Sequence, residues 1–288
     1  MDKNFFQRLI FGLLYGLVVI LCTHPVGSQL LQNIFPNIKQ SQLYFGLIAF
    51  FILVGLWECI KIMKFGNGWE KFAVLPVAGI ILYRFSQKYF NHGFYYDFNL
   101  SEILGISLVI IAVVTLFRFK DELYFDSGKL IFSVIYVALG FSYALALPHF
   151  NSDNEFTLEA FFLFILIWSS DSFAYFSGRL FGKHQMAPKI SPKKTWEGFI
   201  GGVVLTLIFA YFIEQNYSYL RGNWMVVGLL VSIFAPLGDL VESQLKRNFG
   251  VKDSGNIIPG HGGILDRLDS FIICAPVLYL YFILDKLI

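Results

Sequence analysis

Nine apolar runs, each roughly 16 to 21 residues long, follow one another along the sequence with short polar segments between them. A helix needs about 20 apolar residues to cross a hydrocarbon core about 30 Å thick. Lipid offers no partners to backbone N–H and C=O groups, so a lipid-exposed chain crosses as helices or as a closed barrel. The pattern predicts an all-α fold, a polytopic transmembrane helical bundle of about nine spans. The predicted spans lie near residues 5–22, 42–60, 70–85, 101–117, 130–147, 157–177, 197–214, 223–241 and 270–287.

Composition supports membrane residence, since 56% of the residues are hydrophobic and only 15% are charged. The net charge of +2 gives no support for nucleic-acid binding. Thr23-His24-Pro25 is unlike a signal-peptidase site, so the first run is interpreted as a membrane helix. The third run is short and carries Arg84, which predicts a tilted or partly interfacial helix. The three cysteines lie far apart in apolar stretches and are interpreted as packing residues.

The distribution of basic residues predicts the orientation in the membrane. With the N-terminus in the cytoplasm, 17 of the 22 Lys and Arg residues fall on the cytoplasmic side. This excess follows the positive-inside rule. We therefore expect a multi-pass protein of the cell (inner) membrane with its N-terminus and the loops at 178–196 and 242–269 in the cytoplasm, where nucleotides are available.

Polar residues of the second half concentrate around Asp171, from Lys189 to Glu197, and from Asp239 to Asp269. A carboxylate within a span costs at least about 2.5 kcal/mol, so it should face protein, water or a cation. In a continuous helix Asp239, Ser243 and Lys246 share one face. An acid, a hydroxyl and a base are therefore expected to line one groove.

Four glycines and a proline between residues 255 and 263 predict a loop whose backbone can approach a ligand closely. Asp266 and Asp269 follow at a spacing of three, which places both carboxylates on one side of a helix. Magnesium prefers such carboxylate oxygens and completes its coordination with phosphates and water. The acids among basic residues therefore indicate metal-assisted phosphate chemistry. An ion-paired network, such as Asp266 with Arg267 or Asp239 with Lys246, is the alternative.

The segment from Ser191 to Thr195 precedes a predicted helix and contains Lys193 and Lys194. Thr195 is a candidate N-cap, and free N–H groups at a helix start favour phosphate. A capped helix whose lysines contact anionic lipid headgroups is the alternative. His261 could be a loop hydrogen-bonding residue or a ligand, and its role stays open. The candidate phosphate-binding cations are Lys193, Lys194, Lys246, Arg247, Lys252 and Arg267.

The sequence resembles the phosphatidate cytidylyltransferase, or CDP-diglyceride synthase, family. Residues 243–269 match that family's signature at its fixed positions, 191–198 match its SPKKTWEG segment, and 171–178 match D-x-x-A-Y-x-x-G. Trp57-Glu58, at the end of the second span, adds a weaker similarity within the first 160 residues.

This resemblance implies a polytopic helical enzyme, often a homodimer, that converts CTP and phosphatidic acid to CDP-diacylglycerol and pyrophosphate with Mg2+. A second cation such as K+ is compatible with it. Residues 1–160 are expected to form a scaffold with dimer contacts, and 161–288 the catalytic region. The metal ligands it implies are Asp239, Asp266, Asp269 and, less directly, Asp171, with Ser243 and Lys246 in the same cavity. The nucleotide-binding residues it suggests are Ser191, Lys193, Lys194, Thr195, Arg247, Lys252, His261 and Arg267.

Two other functions remain open at this point. A CTP-dependent lipid kinase could share acidic and basic residues, but would release CDP and a phosphorylated lipid. A transporter could use intramembrane acids to carry ions or protons. The grouping of acids with basic residues and glycine-rich loops favours the first reading.

The orientation predicts which introduced cysteines an impermeant maleimide reaches in intact cells. We expect Tyr219→Cys to be labelled from outside and Lys189→Cys only after permeabilisation, because the two loops lie on opposite sides of the membrane. The unmodified chain controls for labelling of its three native cysteines. Labelling of Lys189→Cys in intact cells would contradict this prediction and indicate the opposite orientation.

Overall fold

The computed structural model describes residues 3–90, 100–148, 156–260 and 262–287. Each of the nine predicted runs is helical in the described part of the chain, which confirms the all-α class. Eight runs are single helices: α1 (Lys3–Thr23), α3 (Gln40–Met63), α4 (Glu70–Phe90), α5 (Leu100–Arg118), α8 (Glu159–Phe181), α9 (Trp196–Asn216), α10 (Trp224–Asn248) and α11 (Leu265–Leu287).

The fifth run forms one span from three pieces, α6 (Asp126–Ser133), a π-helical stretch (Val134–Leu139) and α7 (Gly140–Ala144). A 3-10 helix (Lys120–Tyr124) precedes it, and a short helix α2 (Val26–Leu31) follows α1. Among the described segments that are long and apolar enough to cross a membrane, this three-piece span is the most enclosed. Of its apolar stretch, 72% is buried inside the protein. It therefore forms the centre of the bundle.

Seven of the described helical segments are long and apolar enough to cross a membrane. The other two runs are α1, whose apolar part is the shorter Ile10–Thr23, and α4, the run predicted to be tilted or interfacial. The chain is thus a multi-pass membrane protein with seven qualifying spans among the described residues.

A small β-hairpin, which sequence periodicity does not predict, joins α8 to α9. Strand β1 (Gln185–Ala187) pairs antiparallel with β2 (Ser191–Thr195). The Glu197 carboxylate accepts hydrogen bonds from the backbone N–H groups of Lys183 and His184, at 3.0 and 3.2 Å. These contacts hold the hairpin against the start of α9.

Helix α9 begins where the sequence predicts it to begin. Thr195 is its N-cap, and the Thr195 hydroxyl accepts a hydrogen bond of 3.2 Å from the Gly198 N–H. Gly198 also allows close packing of α8 and α9, since a Cβ there would lie 2.7 Å from the Ala174 carbonyl oxygen.

Helices α10 and α11 approach closely at Gly238. A Cβ at this position would lie 2.5 Å from the carbonyl oxygen of Asp269 and 2.6 Å from the Cα of Ser270. The Ser270 hydroxyl donates a hydrogen bond of 2.9 Å to the Ala235 carbonyl. This contact sets the next residue, Asp239, beside the first turns of α11.

Candidate active site

A cavity of about 450 Å3 lies where α8, the hairpin, α9, α10 and α11 meet. The described residues that line it all come from position 171 onward. Five acidic and five basic side chains face it, beside a wall that includes Ala174, Tyr175 and Phe199. The charged lining residues are Asp171, Arg179, Lys193, Lys194, Asp239, Glu242, Lys246, Asp266, Arg267 and Asp269.

Asp239 is held on two sides. Lys194 Nζ lies 2.8 Å from Asp239 Oδ2 and also donates to the Pro236 carbonyl at 2.8 Å. The Ser243 hydroxyl, one turn later on α10, donates to Asp239 Oδ1 at 3.1 Å. The predicted shared face of Asp239 and Ser243 is confirmed. The side chain of Asp239 remains 38% exposed, so its carboxylate is accessible in the cavity.

Lys246 is the centre of a buried ion cluster. Its ammonium group donates to Asp266 Oδ1 at 2.6 Å and pairs with Glu242 Oε2 within the same helix. The side chains of Lys246, Glu242 and Asp266 are only 10%, 1% and 11% exposed. Glu242 Oε1 is also buried and has no hydrogen-bond partner among the described residues. An ion network therefore exists, built on Glu242 rather than on a pairing of Lys246 with Asp239.

Asp266 is tied into the loop that precedes α11. Its Oδ2 accepts from the Ser254 N–H at 2.9 Å, the Ser254 hydroxyl at 2.9 Å and the Gly263 N–H at 2.8 Å. Its Oδ1 accepts from Lys246. Both oxygens thus have partners, and the carboxylate joins the loop to α10. Asp269, one turn later, is buried at 9% exposure and lines the same cavity.

The donor set suits Mg2+ that arrives with a polyphosphate. No three Asp, Glu, His or Cys side chains of the described residues are grouped closely enough to hold a metal ion by themselves. Mg2+, however, is commonly bound by one or two carboxylates with substrate phosphates and water. The carboxylates available to such a complex are those of Asp171, Asp239, Asp269 and Glu242, whose Oε1 has no hydrogen-bond partner among the described residues.

Nine of the predicted site residues line the cavity, and others do not. Ser243 is not part of the cavity lining, but it donates a hydrogen bond to Asp239, which is. Ser191 lies in β2, and Arg247 and Lys252 are exposed beyond the cavity lining. His261 lies outside the described residues. The predicted residues in the lining are Asp171, Lys193, Lys194, Thr195, Asp239, Lys246, Asp266, Arg267 and Asp269.

Sequence reasoning did not assign three residues that the structure places in or behind the site. Arg179 lines the cavity, and its position directly after the D-x-x-A-Y-x-x-G segment was the available signal. Glu242, one turn before Lys246 on α10, also lines the cavity. Glu58, far away in the sequence, accepts hydrogen bonds from the start of α11. No spacing argument connects it to that helix.

Most of the chain matches a known protein family. A family model described as the cytidylyltransferase family matches residues 7–284. The chain belongs to the cytidylyltransferase family. The family assignment therefore covers the helices of the first half as well as the cavity.

Relatives of this cytidylyltransferase-family chain carry the name phosphatidate cytidylyltransferase. The Staphylococcus haemolyticus protein is 42% identical over 189 residues, covering 63% of this chain and 68% of the relative. The Staphylococcus saprophyticus protein is 39% identical over 184 residues, with shares of 63% and 68%. The Bacillus subtilis protein is 38% identical over 237 residues, with shares of 78% and 83%.

We predict that Lys246→Met destabilises this cytidylyltransferase-family protein by about 3–5 kcal/mol, because two buried carboxylates lose their shared cation. Thermal unfolding of the purified protein in detergent measures the effect. The exposed Lys252→Met is the matched control, with no expected change in Tm. Adding Glu242→Gln to Lys246→Met should recover part of the loss. An unchanged Tm in Lys246→Met would show that the cluster contributes no stability.

Proposed function

We propose that this protein transfers a cytidylyl group from CTP to phosphatidic acid, giving CDP-diacylglycerol and pyrophosphate for phospholipid biosynthesis. The observation that carries the proposal is the cavity, which brings acids, basic side chains and a helix start together inside a membrane protein of the cytidylyltransferase family. The relatives' shared name, phosphatidate cytidylyltransferase, supports the same substrate pair.

In the proposed reaction, a phosphate oxygen of phosphatidic acid attacks the α-phosphorus of CTP in line. A new P–O bond forms, and the bond to the leaving pyrophosphate breaks. A phosphate monoester is already anionic near neutral pH, so the chain need not supply a strong base. Its residues act by positioning the two anions and by compensating their charge.

The charge balance of the cavity supports a cation that binds with the nucleotide. The lining acids and bases are equal in number, so a triphosphate entering alone would add uncompensated negative charge. Mg2+, when bound, would neutralise charge on the transferring and leaving phosphates. We propose Asp239, Asp269 and Asp171 as its holders. Asp266 is a metal ligand by resemblance, but its four hydrogen bonds support a framework role. A K+ site also stays a prediction.

Two of the five lining bases form ion pairs within the protein. Lys194 pairs with Asp239, and Lys246 pairs with Glu242 and Asp266. Arg179 and Lys193, by contrast, have no ion pair with the described residues, and both are exposed. Such unpaired cations are suited to phosphate oxygens.

We propose that the wall carrying the unpaired cations lies at the membrane surface, next to lipid. That wall is built by the end of α8, the hairpin and the start of α9. Only 28% of the apolar stretch of α9 is buried in the protein. Tyr175 and Trp196 on the same wall are 62% and 47% exposed. A lipid whose tails stay in the bilayer would present its phosphate there. We therefore assign Arg179 and Lys193 to the phosphate of phosphatidic acid.

The proposal includes the setting of the enzyme. The basic loops at 178–196 and 242–269 support a cytoplasmic active site in the cell membrane, where CTP is available. A homodimer, with contacts from residues 1–160, belongs to the proposal as well.

The decisive assay follows label from α-labelled CTP into a chloroform-soluble product, with purified protein, phosphatidic acid and Mg2+. We expect labelled lipid together with pyrophosphate, and loss of both in EDTA. Asp239→Asn should insert normally and be inactive. Folded protein that labels no lipid would overturn the proposal. Label transferred instead from γ-labelled CTP would indicate a lipid kinase, and solute flux in vesicles without CTP turnover would indicate a transporter.

Removing an unpaired cation should weaken lipid binding selectively. We expect Arg179→Gln and Lys193→Gln each to raise the KM for phosphatidic acid about 10- to 100-fold, the usual worth of a charged hydrogen bond. The KM for CTP should change little. Lys189→Gln, outside the cavity lining, is the control for surface charge. A rise in the KM for CTP alone would assign these residues to the triphosphate instead.

A further inference from the structure

The carboxylate of Glu58 is buried at the interface between the scaffold helices and the catalytic loop. Glu58 belongs to the last turns of α3, and its exposure is 0%. Glu58 Oε1 accepts from the Ile264 N–H at 3.0 Å, 206 positions later in the sequence, and Oε2 accepts from the Leu265 N–H at 2.9 Å. Leu265 is the first residue of α11. A side chain from another helix therefore satisfies the free N–H groups at the start of α11.

The same carboxylate holds the loop that precedes α11. The Ser254 hydroxyl lies 3.1 Å from Glu58 Oε2 and 2.9 Å from Asp266 Oδ2, so it can donate to either carboxylate. Asp266 in turn contacts Lys246 on α10. A continuous path of hydrogen bonds thus runs from α3 through Ser254 and Asp266 to α10.

The loop backbone is closed tightly around Glu58. A Cβ at Gly255 would lie 2.6 Å from Glu58 Oε1, and a Cβ at Gly263 would lie 2.4 Å from the same atom. Glycine at both positions lets the backbone reach the carboxylate. An isolated carboxylate in this position would be costly, and its partners offset that cost.

We propose that Glu58 is a positioning residue for the reaction. It fixes the start of α11 and so sets where Asp266 and Asp269 stand relative to Asp239 and Lys246. It lines no part of the cavity in the described residues and is not expected to touch substrate. The proposal rests on the proposed cytidylyl transfer. It means that the hydrogen bonds from Glu58 of α3 to the start of α11 affect the reaction rate.

Glu58→Gln tests the role with little change in volume. A glutamine amide still accepts through its oxygen, but its NH2 group would face a backbone N–H, so at least one contact to the start of α11 is lost. We expect kcat per folded enzyme to fall about 10- to 100-fold, the scale on which small misplacements of reacting groups act. KM values should change less than kcat.

Glu102→Gln is the matched control. Glu102 is also a buried glutamate of the first half, at 8% exposure, but it pairs with Arg84 and shares no hydrogen bond or ion pair with the loop among the described residues. It should keep a near wild-type kcat. Equal losses of kcat in both variants would show that Glu58 only stabilises the fold, and would overturn the proposal.

Trypsin cleavage after the exposed Lys252 reports the loop without any activity assay. Cleavage of folded Glu58→Gln should be several-fold faster than that of wild type or Glu102→Gln. Wild-type cleavage together with wild-type kcat would overturn the proposal. If the wild-type protein transfers no cytidylyl group, the proposed function fails, while faster cleavage would still show that Glu58 holds the loop.

Ser254→Ala provides a second variant in case Glu58→Gln does not fold. It removes only the hydroxyl between the two carboxylates and should also lower kcat and speed cleavage. In Glu58→Gln with Ser254→Ala, the kcat should resemble that of the worse single variant, since both act through one path. Losses that multiply, or a Ser254→Ala variant with wild-type kcat and cleavage, would contradict the path.

Discussion

The cost of charge inside a membrane protein governs this structure. Each ionised group placed away from water must be compensated by a partner. The Lys246 ammonium group meets this requirement for Glu242 and Asp266 together, and in doing so it links α10 to the loop before α11. The cavity walls are therefore held by the same charges that would otherwise make the site unstable.

Close backbone contact allows those charges to meet. Gly238 brings α10 against the first turns of α11, and Gly198 brings α9 against α8. Van der Waals packing of this kind drives helix association in lipid, together with interhelical hydrogen bonds and lipid entropy, because hydrophobicity gives no net attraction between helices there. These two helix pairs also carry Asp171, Asp239 and Asp269. Packing and chemistry therefore depend on the same contacts.

The two halves of the chain make different contributions to the site. The described cavity lining comes from α8 onward, yet Glu58 of α3 holds the start of α11 from behind. The first half is thus connected to the site by a hydrogen-bonded contact as well as by apolar packing. A division into a scaffold of residues 1–160 and a catalytic region of 161–288 stays a prediction, and Glu58 is where the two would meet.

Local sequence rules were sufficient for much of this protein. Apolar run length predicted the helices, because a helix in lipid satisfies its own backbone. Helical spacing predicted the shared face of Asp239 and Ser243, and the Thr195 N-cap predicted the start of α9. Glycines and a proline predicted the loop before α11. Each of these features depends on residues close together in the sequence.

Only the tertiary structure decided which charges meet. Lys194 pairs with Asp239, Glu242 completes the Lys246 cluster, and Glu58 reaches Leu265 across most of the chain. The hairpin between α8 and α9 likewise depends on the Glu197 carboxylate. The sequence by itself determined the membrane helices and which acidic and basic side chains are available for phosphate chemistry. The pairings required the fold, because an ion pair depends on distance in space and helix packing sets that distance.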